Sequence, residues 1–145
     1  PLRSQQDRDA LIEAVRNGAI DAVVSDHRAV PAEAKANPFA DAAPGSANLE
    51  ALLPALLSLV EEGRLSLLEA LRPVTSGPAD LLGLAQGRIE EGAPADLLIL
   101  DASAPVVFGR EATVSRAPSA FSGRRLFGKV LMSFVEGAII TQPQD

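Results

Sequence analysis

The order of apolar and polar residues separates the chain near residue 85 into two parts. In the first part, apolar residues recur at the three- and four-residue spacing of a helix face, which predicts helices. In the second part, short apolar runs lie between glycines and prolines, which predicts β-strands. We therefore expect one unit over residues 1–85 and another over residues 86–145. The predicted helices cover roughly residues 5–16, 49–62 and 66–71, and a fourth helix follows a cap at Thr75 or Ser76. The predicted strands cover residues 96–100, 104–108 and 128–140, with a hairpin turn at Glu136 and Gly137.

Two of the helices carry recognisable end signals. Ser4 begins a Ser-x-x-Asp sequence in which its hydroxyl can accept from an early helix N–H, and Asn17-Gly18 supplies a left-handed end to the same helix. Pro54 lies in the first turn of the second long helix or bends it, and Gly63 ends that helix. One more helical turn is expected around residues 32–35.

The stretch IDAVVSDHRAVP, residues 20–31, carries the candidate chemistry. Residues 20–25 are mostly apolar and β-branched, which is typical of a strand covered on both faces in a parallel sheet. Asp26 follows directly, at the carboxyl end of that strand, where α/β sheets and barrels hold their active-site residues. A carboxylate there would face a pocket and act as a general base or a metal ligand. The alternative is that Asp26 only caps the following turn.

Two further polar residues follow Asp26. His27 is the only histidine of the chain, and it is either a ligand-binding residue or a hydrogen-bonded loop residue. Arg28 either holds an anion or is solvated. The loop that carries them reaches about residue 46, and loops of that length are more often functional than idle. With one histidine and no cysteine, this chain cannot build a histidine-rich or thiolate zinc centre alone.

Composition narrows the classes of function. The 145 residues suit about one domain, and 47% hydrophobic content supports a real core. A net charge of -6 argues against a nucleic-acid or anionic-membrane surface. The apolar runs are too short and too interrupted to span a bilayer, and the start of the chain does not resemble a signal peptide. We therefore expect a cytoplasmic protein.

A single buried parallel strand raises a question of completeness. One strand cannot close a sheet, and the later strands suit a separate small sheet. The chain also begins at Pro1, in a sequence that reads like the middle of a longer one. We expect that the strand at 20–25 pairs with another polypeptide or with a part of the protein outside this sequence.

Several motifs, in order, resemble the C-terminal portion of a dihydroorotase, a member of the amidohydrolase superfamily. PLRSQQD is similar to a segment that leads into the penultimate barrel helix, and SDHRAV is similar to the family's strand end D-H-x-P-H. KANPFADAAPG, NLEALLP and TSGPADLLGL have counterparts in the same order. GRIEEGAPADLLILD and SRAPSAFSGRRLFGKVLMSFVEGAII resemble signatures that many amidohydrolases share.

The resemblance implies a fold and a reaction. The fold is α/β, with this chain forming the C-terminal part of a (β/α)8 TIM-type barrel and part of a small composite β-sandwich domain. The reaction is the reversible cyclisation of N-carbamoyl-L-aspartate to dihydroorotate in pyrimidine biosynthesis, with zinc as the metal. Asp26 matches the residue that coordinates metal and shuttles the proton, and we assign His27, Arg28 and Gly45 to substrate binding.

The partners that the resemblance implies are a missing N-terminal barrel segment, which would hold most metal ligands, and a small-molecule substrate. A homodimer or a complex with aspartate transcarbamoylase would also fit. We therefore expect no activity from these 145 residues alone.

The chain departs from the family pattern at two positions. Val30 stands where active members have a second histidine that helps to hold the substrate carboxylate, and losing such a contact costs roughly 1.5–3 kcal/mol of binding. Asn48 replaces a glycine where the backbone approaches the substrate. Val30 favours one alternative, a catalytically inactive dihydroorotase-like subunit that supports aspartate transcarbamoylase. A further alternative is a related ring hydrolase such as a hydantoinase or allantoinase, but the segment after Asp26 fits a dihydroorotase better.

Overall fold

The computed structural model describes residues 3–109 and 113–141 as an α/β structure. None of the helices in these residues could form a membrane span. The helices are α1 (Gln5–Arg16), α2 (Ala32–Lys35), α3 (Leu52–Glu61), α4 (Leu67–Leu71) and α5 (Ser76–Leu82), with 3-10 turns at Leu49–Ala51 and Arg72–Val74, and the strands are β1 (Leu97–Val107), β2 (Arg125–Val135) and β3 (Ala138–Thr141).

The start of α1 confirms the predicted cap. The Ser4 hydroxyl accepts from the Asp7 N–H, and the Asp7 carboxylate accepts in return from the Ser4 N–H. This reciprocal arrangement satisfies two helix N–H groups that would otherwise lack a partner. The helix ends where the sequence predicts, at Asn17 followed by Gly18 with φ of +77°.

The sequence predicts one continuous helix over residues 49–62. The structure instead has a 3-10 turn at Leu49–Ala51, followed by α3. Pro54 is the third residue of α3, so its missing N–H falls among groups that have no partner inside a helix. The side chain of Leu57 is fully buried, at 1% exposure, and lies under the sheet. The position of α3 is therefore set by its packing against β2.

The predicted strand at residues 20–25 is wrong as an element of this structure, because the described residues provide no neighbouring strand for it. Its main-chain contacts run instead to the helical part. The Val23 N–H donates to the carbonyl of Pro73 at 2.9 Å, and Val24 remains 78% exposed. A β-strand needs a partner to satisfy its backbone groups, and local sequence cannot supply one.

The sheet is antiparallel, in the order β1-β2-β3. Two strands predicted at 96–100 and 104–108 are one irregular strand, which pairs with β2 along its length. Its register shifts between Asp101 and Pro105, where the Asp101 carboxylate accepts from the N–H groups of Ser103 and Ala104. The predicted hairpin turn is confirmed, with Glu136 at φ of +50° and Gly137 at +80°. Two consecutive left-handed residues suit the twist of a two-residue hairpin.

The core consists of two clusters. One joins the helices α1, α3 and α4, and the other joins the 3-10 turn at Leu49–Ala51 to the sheet. The first cluster contains Ile12, Leu56, Leu65 and Ala70, and the second contains Ala51, Phe108 and Leu126.

Candidate functional site

Asp26 is an exposed residue with an unusual backbone conformation. Its φ is +44°, a left-handed value that costs free energy for any residue with a Cβ. Among the described residues, its carboxylate has no hydrogen bond or ion pair. Both carboxylate oxygens are therefore available to take up a proton or to bind a metal ion or a hydrogen-bond donor.

The segment before Asp26 is held from the helical side. Its main chain lies directly against the start of α5, where a Cβ added to Gly77 would meet the Asp21 carbonyl oxygen at 2.1 Å. On the other side, the Asn48 side-chain amide donates to the carbonyl of Ser25 at 3.4 Å. These contacts fix the chain immediately before Asp26.

His27 makes one specific contact. Its Nδ1 accepts the backbone N–H of Leu49 at 3.0 Å, at the start of the 3-10 turn. The residue is exposed, so the far side of the ring is open. The structure therefore brings the His27 ring to the loop that contains Asn48.

Arg28 and Gly45 lie together. The Arg28 N–H donates to the carbonyl of Ser46 at 3.0 Å, and a Cβ on Gly45 would meet the Arg28 carbonyl oxygen at 2.8 Å. Gly45 has φ of +136°, and its own carbonyl accepts from the Lys35 ammonium group. The guanidinium of Arg28 is exposed and has no ion pair with any described residue.

Val30 is buried at 8% exposure, and its Cγ2 would lie 2.9 Å from a Cβ on Gly45. The side chain that stands at the family's second histidine position is therefore part of the packing. A valine offers no hydrogen-bond donor.

The structure adds a polar network that sequence reasoning missed. Ser46 Oγ accepts the N–H of Ala120 at 2.8 Å and donates to Asn48 Oδ1, which also accepts from Ser119 Oγ at 3.2 Å. The Ala47 N–H donates to the carbonyl of Pro118 at 3.0 Å. No local signal could reveal this network, because the two segments that it joins lie more than 70 residues apart in the chain.

Two cavities lie near other parts of the fold. The smaller cavity, of about 220 Å³, is lined by residues that include Ala47, Glu50 and Ser119. The Glu50 carboxylate at this cavity accepts hydrogen bonds from the N–H groups of Val114 and Ser115, both at 2.9 Å. A larger, mostly apolar cleft of about 780 Å³ runs between α4, α5 and β1. None of the four predicted site residues lines either cavity.

The described part of the chain does not contain a complete metal site. A catalytic zinc takes about three protein ligands. The described residues include no cluster of three histidine, cysteine, aspartate or glutamate side chains that could hold a metal ion. The exposed Asp26 carboxylate fits the role of one ligand, and the residues present do not form a zinc site on their own.

The chain can be placed in a known family of hydrolases. The amidohydrolase family model matches residues 2–140, and the chain belongs to the amidohydrolase family. The predicted resemblance to dihydroorotases is confirmed as well. The chain is 39% identical to a dihydroorotase-like protein of Pseudomonas aeruginosa over 94% of its length, and 34% identical to a dihydroorotase of a Wolbachia symbiont of Drosophila simulans over 97%.

Solved structures give a consistent picture. The chain superposes with a TM-score of 0.86 on an L-hydantoinase (dihydropyrimidinase) from Arthrobacter aurescens, at 32% identity, covering 98% of this chain and 33% of that one. A D-hydantoinase structure gives the same TM-score at 27% identity, covering 98% of this chain and 33% of that one. The chain spans about a third of the length of its curated relatives, 32% of both proteins named above.

Proposed function

We propose that the intact protein is a dihydroorotase-like cyclic-amide hydrolase that interconverts N-carbamoyl-L-aspartate and dihydroorotate in the cytoplasm, and that Asp26 is its proton-transfer residue. The observation that carries this proposal is the free carboxylate of Asp26, exposed and held at a φ of +44°. A strained, unpaired carboxylate is a feature of functional sites more often than of structural ones. The family supplies the reaction class.

The bonds made and broken in ring hydrolysis show which proton Asp26 would transfer. Water adds its oxygen to the ring carbonyl carbon, the C–N bond breaks, and the nitrogen gains a proton. Asp26 accepts a proton from the attacking water and later delivers it to the leaving nitrogen, and cyclisation runs through the same steps in reverse. Zinc would polarise the carbonyl and activate the water when bound. Asp26 would contribute one of its ligands, and the others would come from outside the described residues.

His27, Arg28 and Gly45 would form the substrate-binding side. His27 and Arg28 present hydrogen-bond donors next to Asp26, and Gly45 allows the chain to pass close to Arg28 without a clash. Because Val30 is buried and apolar, the Arg28 guanidinium is the group we propose for the substrate carboxylate.

The coverage of the relatives supports a composite assembly. We propose that residues 1–85 are the last helix and strand units of a (β/α)8 barrel and that residues 86–145 are part of a small β-sandwich domain. The exposed segment before Asp26 would then pair with strands of a preceding barrel segment. A homodimer is the further assembly that the resemblance suggests.

A second candidate is a catalytically silent subunit that supports aspartate transcarbamoylase. The specific observation in its favour is Val30, which replaces a carboxylate-binding histidine with a buried apolar side chain. The relatives named dihydroorotase-like protein agree with this candidate as well as with an enzyme.

The test compares Asp26→Asn with Asp41→Asn in the intact protein. Asp41 is an exposed aspartate of the same loop. We expect Asp26→Asn to lower N-carbamoyl-L-aspartate cyclisation by about 10²–10⁴-fold, the usual share of general acid–base catalysis, and Asp41→Asn to leave the rate unchanged. A rate that survives Asp26→Asn would contradict the proposed role. A purified, metal-loaded wild-type protein without turnover would favour the silent subunit.

A further inference from the structure

The contact between His27 and Leu49 decides which nitrogen of the imidazole carries the proton. A backbone N–H can only donate, and the Leu49 N–H lies 3.0 Å from Nδ1 of His27. A neutral imidazole has one donor nitrogen and one acceptor nitrogen. Nδ1 is therefore the acceptor, and the proton lies on Nε2.

We propose that the Leu49 N–H fixes His27 in the Nε2-protonated tautomer, so that His27 meets a ligand as a hydrogen-bond donor and not as a base or as a metal ligand through Nδ1. The ligand group it fits is an acceptor oxygen, such as a carbonyl of a cyclic amide. The ligand-binding part of this proposal rests on the proposed function, whereas the assignment of the tautomer follows from the contact with Leu49 alone.

The donor N–H is itself held in place by the surrounding network. The side chain of Asn48, the residue before Leu49, donates to the carbonyl of Ser25 and accepts from the hydroxyl of Ser119. The Leu49 N–H is also the first of a 3-10 turn, where N–H groups have no partner within the turn. The His27 ring therefore serves as the acceptor for this N–H and is oriented in return.

The edge of the His27 ring that carries Nε2 is available to a ligand. His27 is exposed, and the described residues give its Nε2 no hydrogen-bond partner. Asp26 is the residue immediately before it in the chain. A carboxyl group that can exchange a proton with the substrate and an imidazole that donates to a substrate oxygen are thus neighbours in the sequence, which fits an amide with both an N–H and a carbonyl.

The tautomer can be read directly by NMR. Long-range ¹H–¹⁵N correlation spectra of the intact, ¹⁵N-histidine-labelled protein, recorded near pH 8 where an ordinary histidine is neutral, distinguish the two tautomers. The His27 signals are assigned as those missing in His27→Gln. We expect the pattern of a single Nε2-protonated ring. An Nδ1-protonated ring, or rapid averaging between the two, would overturn the inference.

The donor role is tested with a pair of amide variants. In His27→Asn, the side-chain amide overlaps the Nδ1 position and can still accept from Leu49, but nothing replaces the outer donor. In His27→Gln, the amide N–H reaches the Nε2 position. Both are compared in an Asp26→Asn background, where the probe, hydantoin, is not turned over.

We expect His27→Asn to weaken hydantoin binding by about threefold to tenfold, the loss of one hydrogen bond, while its melting temperature stays close to that of the parent. His27→Gln should keep more of the affinity. Equal affinity in both variants and the parent would overturn the donor role. No binding of dihydroorotate by the wild-type protein would overturn the proposed function as well, whereas the wrong tautomer in a wild-type protein that binds dihydroorotate would overturn this inference alone.

Discussion

At the level of single residues, the candidate site is shaped by backbone positions. Asp26 adopts a left-handed φ, and Gly45 adopts a φ of +136° that side-chain-bearing residues rarely occupy. The Gly45 main chain lies so close to Arg28 and Val30 that a methyl group has no room. The loop around Asp26 is therefore tightly constrained at Gly45 as well as at the aspartate.

Gly45→Ala should destabilise the protein by about 1–3 kcal/mol, because the new Cβ would lie 2.8 Å from the Arg28 carbonyl oxygen and 2.9 Å from the buried Val30 side chain. The measurement is thermal or denaturant unfolding of the intact protein.

The control for this change is Gly63→Ala. Gly63 also has a positive φ, +68°, but a Cβ added there would meet no atom within 4 Å beyond its immediate chain neighbours. Both variants place a Cβ at a positive φ, and only Gly45→Ala adds a steric clash. Equal losses of stability would show that Gly45 is not tightly packed in solution.

Sequence alone identifies some of these residues and misses others. Asp26 and His27 stand out because they follow an apolar run directly. The positions of Ser46, Asn48 and Ser119 in one hydrogen-bonded network could not be predicted, because the network closes only when distant segments meet. The tautomer of His27 could not be predicted either, because it depends on a contact with Leu49, 22 residues further along the chain.

At the level of elements, α1 is attached to the rest of the helical part by packing and by one ion pair. Ile12 is buried against α3 and α4, and the Asp9 carboxylate lies 2.7 Å from the guanidinium of Arg64, beyond the end of α3. The Arg64 hydrogen bond, followed by that of Arg8, lowers the pKa of Asp9 from its ordinary value of 3.8. The ion pair therefore makes stability depend on pH.

Asp9→Asn should reduce stability most near neutral pH. Because the pKa of Asp9 is lower in the folded state, its contribution is fully present above about pH 3.8 and disappears as the pH falls through the lowered value. The difference in unfolding free energy between wild type and variant should shrink towards zero in acid. Unfolding curves from pH 7 to pH 2 measure it, with Asp41→Asn as the control. A difference that stays constant with pH would contradict the pairing.

Local signals explain why the helices were predictable and the strand at 20–25 was not. The Ser4 cap and the Asn17-Gly18 end lie within α1 or next to it. The apolar pattern of 20–25 predicts a strand, but a strand also needs a neighbour, and none lies within the described residues. The 3-10 turn at Leu49–Ala51 was predicted as part of the following helix, because apolar spacing does not separate the two over three residues.

At the level of the whole molecule, α3 joins the helical part to the sheet. The Leu57 side chain fills the space above Gly128 on β2, where a Cβ would lie 2.3 Å from Leu57 Cδ1. The Phe127 N–H also donates to Ser58 Oγ at 3.1 Å. Helix and sheet therefore share one tightly packed contact, while the division of the chain near residue 85 stays a prediction.

Leu57→Ala should destabilise the protein by about 2–5 kcal/mol, the usual cost of removing a large side chain from a core. Because Leu57 contacts β2, we expect faster amide hydrogen exchange in β2 as well as in α3. Leu68→Ala is the matched control, since Leu68 is 79% exposed, and it should change stability little. Faster exchange in α3 without any change in β2 would show that the two parts unfold independently.

The outer side of β1 has a practical consequence. Among the described residues β1 pairs only with β2, and Leu98 and Ile99 are about half exposed on it, at 54% and 49%. A row of open N–H and C=O groups beside apolar side chains can recruit a strand from any nearby polypeptide. Purified as a separate 145-residue polypeptide, the chain would therefore tend to self-associate as its concentration rises. The substitution Leu98→Lys is the simplest means of keeping such a preparation monomeric.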